Sequence, residues 1–537
     1  MEGSNLKTVV ADLSHKHDRS PSATTLDAIV AELGESLVSE GLISHTGESN
    51  AAREWAEKAF RIAHIFGHDP FCGQEEIKRR LSIETPALIK LNKAIRESDV
   101  FQALIVDHSI SSQYWKNTIL PATTSGSLNA VLENEYRFPF RVGIFPGLSC
   151  MFYCTFCGRN HDAKYRRSAL DEGNEGFFRL ISDAPVNDSN RFYIAGGLEP
   201  LTNPAIGNII SRARQRNFRV SMYTNGFMLT PSLIQRQPGL MDLAALRISF
   251  FGVNDKSHFE VTGKKGAHKQ VVANAKEFLK ARNAAGTDTK IGFNFVILPG
   301  HARDVLELAD VLADINLASD GRGVDFVTLR EDFSVLPEEG LSESERLEMT
   351  EIFQQLDDRV KHDDLAGLHL DYGYALQAIR KGVPNANLAM VGDADLRRKG
   401  YPQLSVVVDL YGDVFLYREA GFLDRPGADR YSIGRISANR GIEEVVKEFL
   451  ESGREIETMP NDWNYLDAFD HVMVSLLNQA ETDRRMGIPF ELGPIRARTG
   501  VAPSADDNGA QSIAFYSQTS RGQTGDTNER KIQGLNA

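Results

Sequence analysis

The sequence predicts an α/β protein: a partial or complete TIM-type barrel with a helical N-terminal unit and a small C-terminal α+β unit. Three observations point there. Short apolar, β-rich runs at 142–147, 191–197, 218–226, 246–252, 291–300, 324–331 and 368–376 alternate with segments of helical periodicity, the pattern of βαβ units around a parallel sheet. Residues 25–136 show helical periodicity without strand-like runs. Cys150, Cys154 and Cys157 crowd into the loop just after the first β-rich run. An open doubly wound sheet is the alternative architecture. In either, groups that do chemistry belong at the C-terminal ends of the strands.

In chain order, residues 1–24 are polar and predicted to be disordered. Leu26, Ile29, Val30, Leu33 and Leu37 then recur at helical spacing, with Ser22 or Thr25 as the cap. Trp55, Ala59, Ile62, Ala63 and Phe66 mark a second helix, and Pro86–Ile95 a third that begins on proline. The barrel is expected over 137–380, with helices near 203–217, 266–284 and 302–316. Residues 381–493 form the C-terminal unit. It opens on a hairpin of Ser405–Leu410 and Val414–Tyr417 turning at Tyr411-Gly412-Asp413, followed by helices at 442–452 and 467–480. From Pro494 the chain is polar and small-residue-rich and is expected to be a flexible tail.

The chain has 537 residues and a net charge of −13, with 42% apolar and 25% charged residues, the balance of a soluble globular protein. An acidic surface argues against a nucleic-acid or membrane partner. It leaves room for an anionic small substrate held by a few local cations. No stretch is apolar enough to span a bilayer and the start carries no leader pattern, so the expected location is the cytoplasm. Four cysteines exclude a disulfide scaffold.

Cys150-x3-Cys154-x2-Cys157 places three thiols where three irons of a [4Fe–4S] cluster would find them, leaving the fourth iron open. Structural zinc is the alternative, with His161 as the fourth ligand. Phe156 directly before the third cysteine, and Gly196-Gly197-Leu198-Glu199-Pro200 closing the second strand, favour the cluster.

On those residues the chain resembles the radical S-adenosylmethionine superfamily. The resemblance implies a cluster on the three cysteines and S-adenosylmethionine on the open iron. It also implies that Phe156 meets adenine and that the Gly196, Gly197 and Glu199 segment meets the methionyl ammonium. Thr224, Asn225, Arg247 and Ser249, on strands three and four, would hold ribose and carboxylate. Cys72 is the one cysteine outside the motif, so no auxiliary cysteine-held cluster is expected. The segment at His64-x-x-Gly67 lacks the acid of a cobalamin motif, having Ile62 in its place.

A narrower resemblance covers about 50–480. YWKNTILP (114–121), CMFYCTFC (150–157), GGLEPLTNP (196–204), RQPGLMDLAALRISFFGVND (236–255), VTGKK (261–265), LREDFS (329–334), LDYGYAL (370–376) and VDLYGDVFLYREAGF (408–422) are similar to the ammonia-lyases that act on TDP-4-amino-4,6-dideoxyglucose in desosamine biosynthesis. It implies hydrogen abstraction from the carbinol carbon of a TDP-linked amino sugar, loss of ammonia and a 3-keto-4-deoxy product. A flavodoxin or ferredoxin would be the one-electron donor, with a homodimer as an option. Phe333, Val335-Leu336-Pro337, Gly158-Arg159-Asn160 and the tail depart from the family pattern.

Candidates for handling the hydroxyl proton are Glu331 and Tyr372; Lys264, Arg330, Arg418 and Glu419 are candidates for gripping the substrate. Asp332, Asp371 and Tyr374 belong to the same strand ends. A structural ion pair or a solvated turn is the alternative for each. The rival reactions are a radical diol dehydration or carbinol dehydrogenation on a sugar or aminoglycoside. A zinc-stabilised binding protein is the rival class.

Overall fold

The computed structural model describes residues 9, 12–13, 20–68, 74–108, 121–122, 125–331, 341–362, 364–372, 376, 379–380, 401–454, 456, 473 and 477. Cys72, Asp332, Phe333, Val335–Pro337, Tyr374 and the tail from Pro494 lie outside the described residues. So do nearly all of the 114–121 segment and of the helix expected at 467–480.

The N-terminal helices span Ala23–Ser39, Ser49–His68, Gln74–Leu81, Thr85–Glu97 and Asp99–His108. Ser22 caps the first of them, its hydroxyl accepting the Thr25 N–H at 3.2 Å. Leu33, Leu37, Ile62, Leu91 and Ile95 meet in an apolar core separate from that of the sheet. Within the first 24 residues, where disorder is expected, some of the described residues are packed. Val9 and Leu13 are buried in this same core, at 1% and 4% exposure. Asp12 accepts the Thr25 hydroxyl at 2.5 Å and the Ser22 N–H at 3.0 Å. Two apolar residues one helical turn apart suffice to dock a segment whose average composition is polar.

All seven strands expected in the barrel are present. They are β1 Arg141–Ile144, β2 Phe192–Ile194, β3 Ser221–Thr224, β4 Ala245–Phe250, β5 Lys290–Ile297, β6 Phe326–Glu331 and β7 His369–Tyr372. The hairpin supplies β8 Ser405–Val408 and β9 Asp413–Phe415, and β10 is Ser432–Arg435. The order is β10-β9-β8-β1-β2-β3-β4-β5-β6-β7. β1 to β7 run parallel, and β8 lies parallel on β1 with Val142 opposite Val406. β9 and β10 are antiparallel. The sheet is thus an open, partial TIM-type barrel. The hairpin, grouped above with the C-terminal unit, extends the barrel sheet itself, covering a β1 edge that would otherwise expose unpaired amides.

Alternation along the strands sorts the side chains. Ile144, Ile194, Met222, Ile248, Phe293, Leu329 and Val408 face outward into one core shared with the helices. On the opposite face of the same strands lie Tyr193, Tyr223, Arg247, Ser249, Asn294, Thr328, Arg330 and Asp371. The barrel interior is therefore largely polar, and it opens at the C-terminal strand ends.

Candidate active site

The loops after β1 and β2 are stitched together to make the floor of a cleft. Gly147 lies where a Cβ would come within 2.7 Å of the Leu198 carbonyl carbon, so a side chain there would push the loops apart. Gly196 holds φ +146°, which only glycine adopts without strain. Glu199 N–H donates to the Ser149 carbonyl at 3.0 Å. Thr202 Oγ1 accepts from Leu148 N–H at 2.8 Å, and Asn203 reaches the Pro146 carbonyl at 2.9 Å.

The cleft, open to solvent, is lined by Cys150, Cys154, Cys157, Phe156, Gly196, Gly197, Glu199, Thr224, Asn225, Ser249, Arg330, Glu331 and Arg418. The structure thus brings together thirteen of the residues singled out from the sequence. Phe152, Cys154 and Phe156 line it while Tyr153 and Thr155 between them are exposed, so the loop presents alternate residues to the cleft. Phe156 is braced edge-on by Phe251, ring centroids 4.9 Å apart.

The three thiols have no disulfide partner among the described residues. Burial pushes all three up, Cys157 to about 11, while Arg159 pulls each of them down. Arg159, named above only as part of a departure from the family pattern, was not among the site candidates. It is 7% exposed, lines the cleft and donates to the carbonyls of Phe152 and His161. A lone arginine two residues past a cysteine was its only signal in the sequence. Asn225 Nδ2 approaches Met151 Sδ at 3.1 Å and Cys150 Sγ at 3.8 Å.

Among the described residues no three His, Cys, Asp or Glu side chains converge on a single ion. His161, the fourth ligand of the zinc alternative, sets its Nε2 3.1 Å from the Cys154 carbonyl. Three thiols on one cleft, each eased toward the thiolate by Arg159, fit a multi-iron cluster, which with its sulfides and thiolates carries net negative charge.

Glu199 and Thr224 line the cleft but bind each other. Glu199 accepts from Thr224 Oγ1 at 2.5 Å, Leu201 N–H at 3.1 Å and Asn225 N–H at 2.8 Å. Burial raises this carboxyl, against the pull of those donors. The pair locks the end of β3 to the glycine loop.

Arg247 and Ser249 share a face of β4, two residues apart. Ser249 reaches the cleft, whereas Arg247, fully buried, lies below it between the rings of Tyr223 and Phe326. Arg247 donates to Thr328 Oγ1 at 3.2 Å, Thr328 donates to Asp371 at 3.1 Å, and Asp371 holds Arg330 at 3.2 Å. This relay fixes the Arg330 guanidinium at the cleft wall. Asn294, opposite Ser249 in register, also lines the cleft and was missed. Its signal was one amide in the apolar run IGFNFVIL.

Three candidates are not brought to the cleft, and a fourth is paired elsewhere. Tyr372 points outward, donating to Asp357 at 2.9 Å and packing on Phe353. Its neighbour Asp371 takes the inward position, because successive strand residues face opposite ways. Glu419, 1% exposed, pairs with Arg425 at 3.4 Å. Lys264 sits 5.3 Å over the Phe227 ring. Arg247 is spent in the relay beneath. Glu331 does line the cleft. One oxygen meets Arg346 at 2.8 Å, the other is buried without a partner among the described residues, and burial raises the carboxyl.

A profile of the Radical SAM superfamily matches residues 144–312. The dTDP-4-amino-4,6-dideoxy-D-glucose ammonia-lyase of Streptomyces venezuelae is 39% identical over 462 residues, 86% of this chain and 94% of that enzyme. Among solved structures, Streptococcus suis SuiB bound to S-adenosylmethionine is 14% identical with a TM-score of 0.37, covering 73% of this chain and 75% of that one. Native anSMEcpe with bound AdoMet is 16% identical with a TM-score of 0.38, covering 58% and 82%. On the cysteine-lined cleft and the extent of the Streptomyces match, the chain belongs to the radical S-adenosylmethionine superfamily and, within it, to the family of the dTDP-4-amino-4,6-dideoxy-D-glucose ammonia-lyase.

Proposed function

We propose that the protein eliminates ammonia from a TDP-linked 4-amino-4,6-dideoxyhexose, giving a 3-keto-4-deoxy sugar nucleotide. The match over 94% of the Streptomyces ammonia-lyase carries this reading. The cofactors of this radical enzyme are a [4Fe–4S] cluster and S-adenosylmethionine, which when bound supply a 5′-deoxyadenosyl radical. Cys150, Cys154 and Cys157 are assigned to the cluster. Phe156, Gly196, Gly197, Asn225 and Ser249 are assigned to the nucleoside and methionyl parts.

The protein's share is orientation, charge and proton handling. Arg330, held by Asp371, and Arg418 place positive charge on the lining of the cleft, suited to the diphosphate. Glu331 accepts the C3 hydroxyl proton through its unpartnered oxygen. Net, the carbinol carbon becomes a carbonyl, the C4–N bond breaks and C4 gains a hydrogen, so the conversion is balanced without an oxidant. An acidic electron carrier, a cytoplasmic location and a homodimer accompany this reading. No helix among the described residues is long and apolar enough to cross a membrane.

The test is turnover of a C3-deuterated TDP-amino sugar. Deuterium in 5′-deoxyadenosine together with released ammonia and a keto sugar supports deamination. Deuterium transfer without ammonia, and a product about three mass units lighter than the deuterated substrate, means dehydrogenation instead.

A further inference from the structure

Asn225, the residue that follows β3, is held from several sides where it lines the cleft. Its N–H donates to Glu199 Oε2 at 2.8 Å, and its Oδ1 accepts the Phe227 N–H at 3.0 Å. Gly226 turns the chain at φ +72°, with its N–H on Thr224 Oγ1 at 3.1 Å. Asn274, buried on the helix Ala267–Ala285, donates to the carbonyls of Gly226 and Phe227, both at 2.8 Å. These bonds lock the turn and leave Asn225 buried, at 7% exposure.

The bond to Phe227 also decides which way the side-chain amide faces. An amide has one accepting end and one donating end, and a flip would set its NH2 against the Phe227 N–H. With the oxygen committed there, the NH2 group is turned to sulfur. Nδ2 lies 3.1 Å from Met151 Sδ and 3.8 Å from Cys150 Sγ. The thioether is a weak, neutral acceptor, whereas an ionised thiol accepts strongly. Burial, with Glu199 nearby, pushes the Cys150 thiol up, while Arg159, the Phe152 N–H and the Asn225 amide favour the thiolate.

We propose that the Asn225 side chain donates to the Cys150 thiolate and thereby raises the reduction potential of the cluster. The proposal rests on the assignment of a cluster to the three cysteines. Reduction adds one electron and no proton, and the added negative charge spreads over the sulfurs. An N–H dipole aimed at sulfur therefore favours the reduced form over the oxidised one, and hydrogen bonds to sulfur are among the factors that set such potentials. The role differs from that of Arg159. The guanidinium acts on all three thiols through its charge. The amide acts on one, through a dipole that depends on its fixed orientation.

The test is the midpoint potential of the reconstituted protein, from a dithionite titration followed by EPR. S-adenosylmethionine is left out, so nucleoside binding does not enter. Asn225→Ser keeps an oxygen that can accept the Phe227 N–H two residues on, but has no NH2 to reach sulfur. Its midpoint should be more negative than that of the wild type. Asn294→Ser, at a cleft amide with no bond to a thiol among the described residues, should leave the midpoint unchanged. A wild-type midpoint in Asn225→Ser, or an equal shift in Asn294→Ser, overturns the proposal. If Asn225→Ser takes up no iron, the wild-type protein decides, carrying asparagine labelled with the heavy nitrogen isotope. Pulsed EPR of its reduced cluster should show a weak coupling to that nitrogen, and the absence of the coupling overturns the proposal. Iron missing from the wild-type protein would instead overturn the cluster assignment, and it is read first.

Discussion

Glu331 and Arg346 set how a buried acid acts as a base. Arg346 holds one carboxylate oxygen at 2.8 Å, and the other oxygen is buried at the cleft without a partner among the described residues. Burial raises the carboxyl and Arg346 opposes the rise. A base works only when deprotonated, so turnover should climb with pH through the raised value and fall below it. Glu331→Gln should slow ammonia release by about 10²- to 10⁴-fold and leave sugar binding much less affected, as kcat against KM will report. Arg346→Gln removes the opposing cation and should shift the rising limb of the pH–rate profile to higher pH. Tyr372→Phe loses only the bond to Asp357, costing about 0.5–1.5 kcal/mol of stability, with turnover retained. A dead Tyr372→Phe enzyme of normal stability would mean that the outward placement misleads. Arg159 lowers the cost of negative charge at all three thiols. Arg159→Met should therefore make the cluster harder to reduce, seen as a more negative midpoint in an EPR-monitored titration, whereas Arg159→Lys should recover part of the loss.

The turn between β8 and β9 carries a charge problem of its own. Asp409 accepts the Tyr165 hydroxyl at 3.0 Å and the amides of Tyr411 at 3.0 Å and Asp413 at 2.9 Å. These donors favour the carboxylate, yet burial and the nearby Asp413 win and raise Asp409 from 3.8 to about 7. The folded state then binds more protons than the unfolded chain between those two values. Stability should fall as pH rises from about 4 to about 7 and level off above. Asp409→Asn should flatten that slope in thermal melts recorded across the range; an unchanged slope would place the ionisation elsewhere. Tyr165 ends the segment that follows the cysteines, so this turn also anchors the cluster loop to the hairpin.

For the whole molecule, the helical core and the sheet core are distinct, and Val9 and Leu13 belong to the former. Leu13 is 4% exposed there, so Leu13→Ala should cost about 2–5 kcal/mol in the transition of the helical unit, followed by denaturant melts. Removing residues 1–19 should do the same without changing the cysteine cleft. The tail from Pro494 lies outside the described residues. Its few apolar residues still predict that removing 500–537 leaves turnover intact.

The sequence by itself determined the α/β alternation, the seven barrel strands and the cysteine and glycine loops, because these are local: hydrophobic periodicity, turn residues and motif spacing all act within a few residues. Pairing and facing are not local, and only the tertiary structure decided them. The hairpin reads the same whether it stands apart or lies on β1, since only the open edge of β1 favours the second. Glu331, Asp371 and Tyr372 are all strand-end polar residues in the sequence. Which of them meets the cleft depends on strand phase and on the partners each face offers, Asp357 outside for Tyr372 and Arg330 inside for Asp371. Arg247 and Ser249 are equal candidates on one face of β4. The depth of the barrel separates them, burying the arginine in a relay and leaving the serine at the cleft. Val9 and Leu13 sit in polar text that reads as disordered; the core formed by helices many residues later gives them a place to pack.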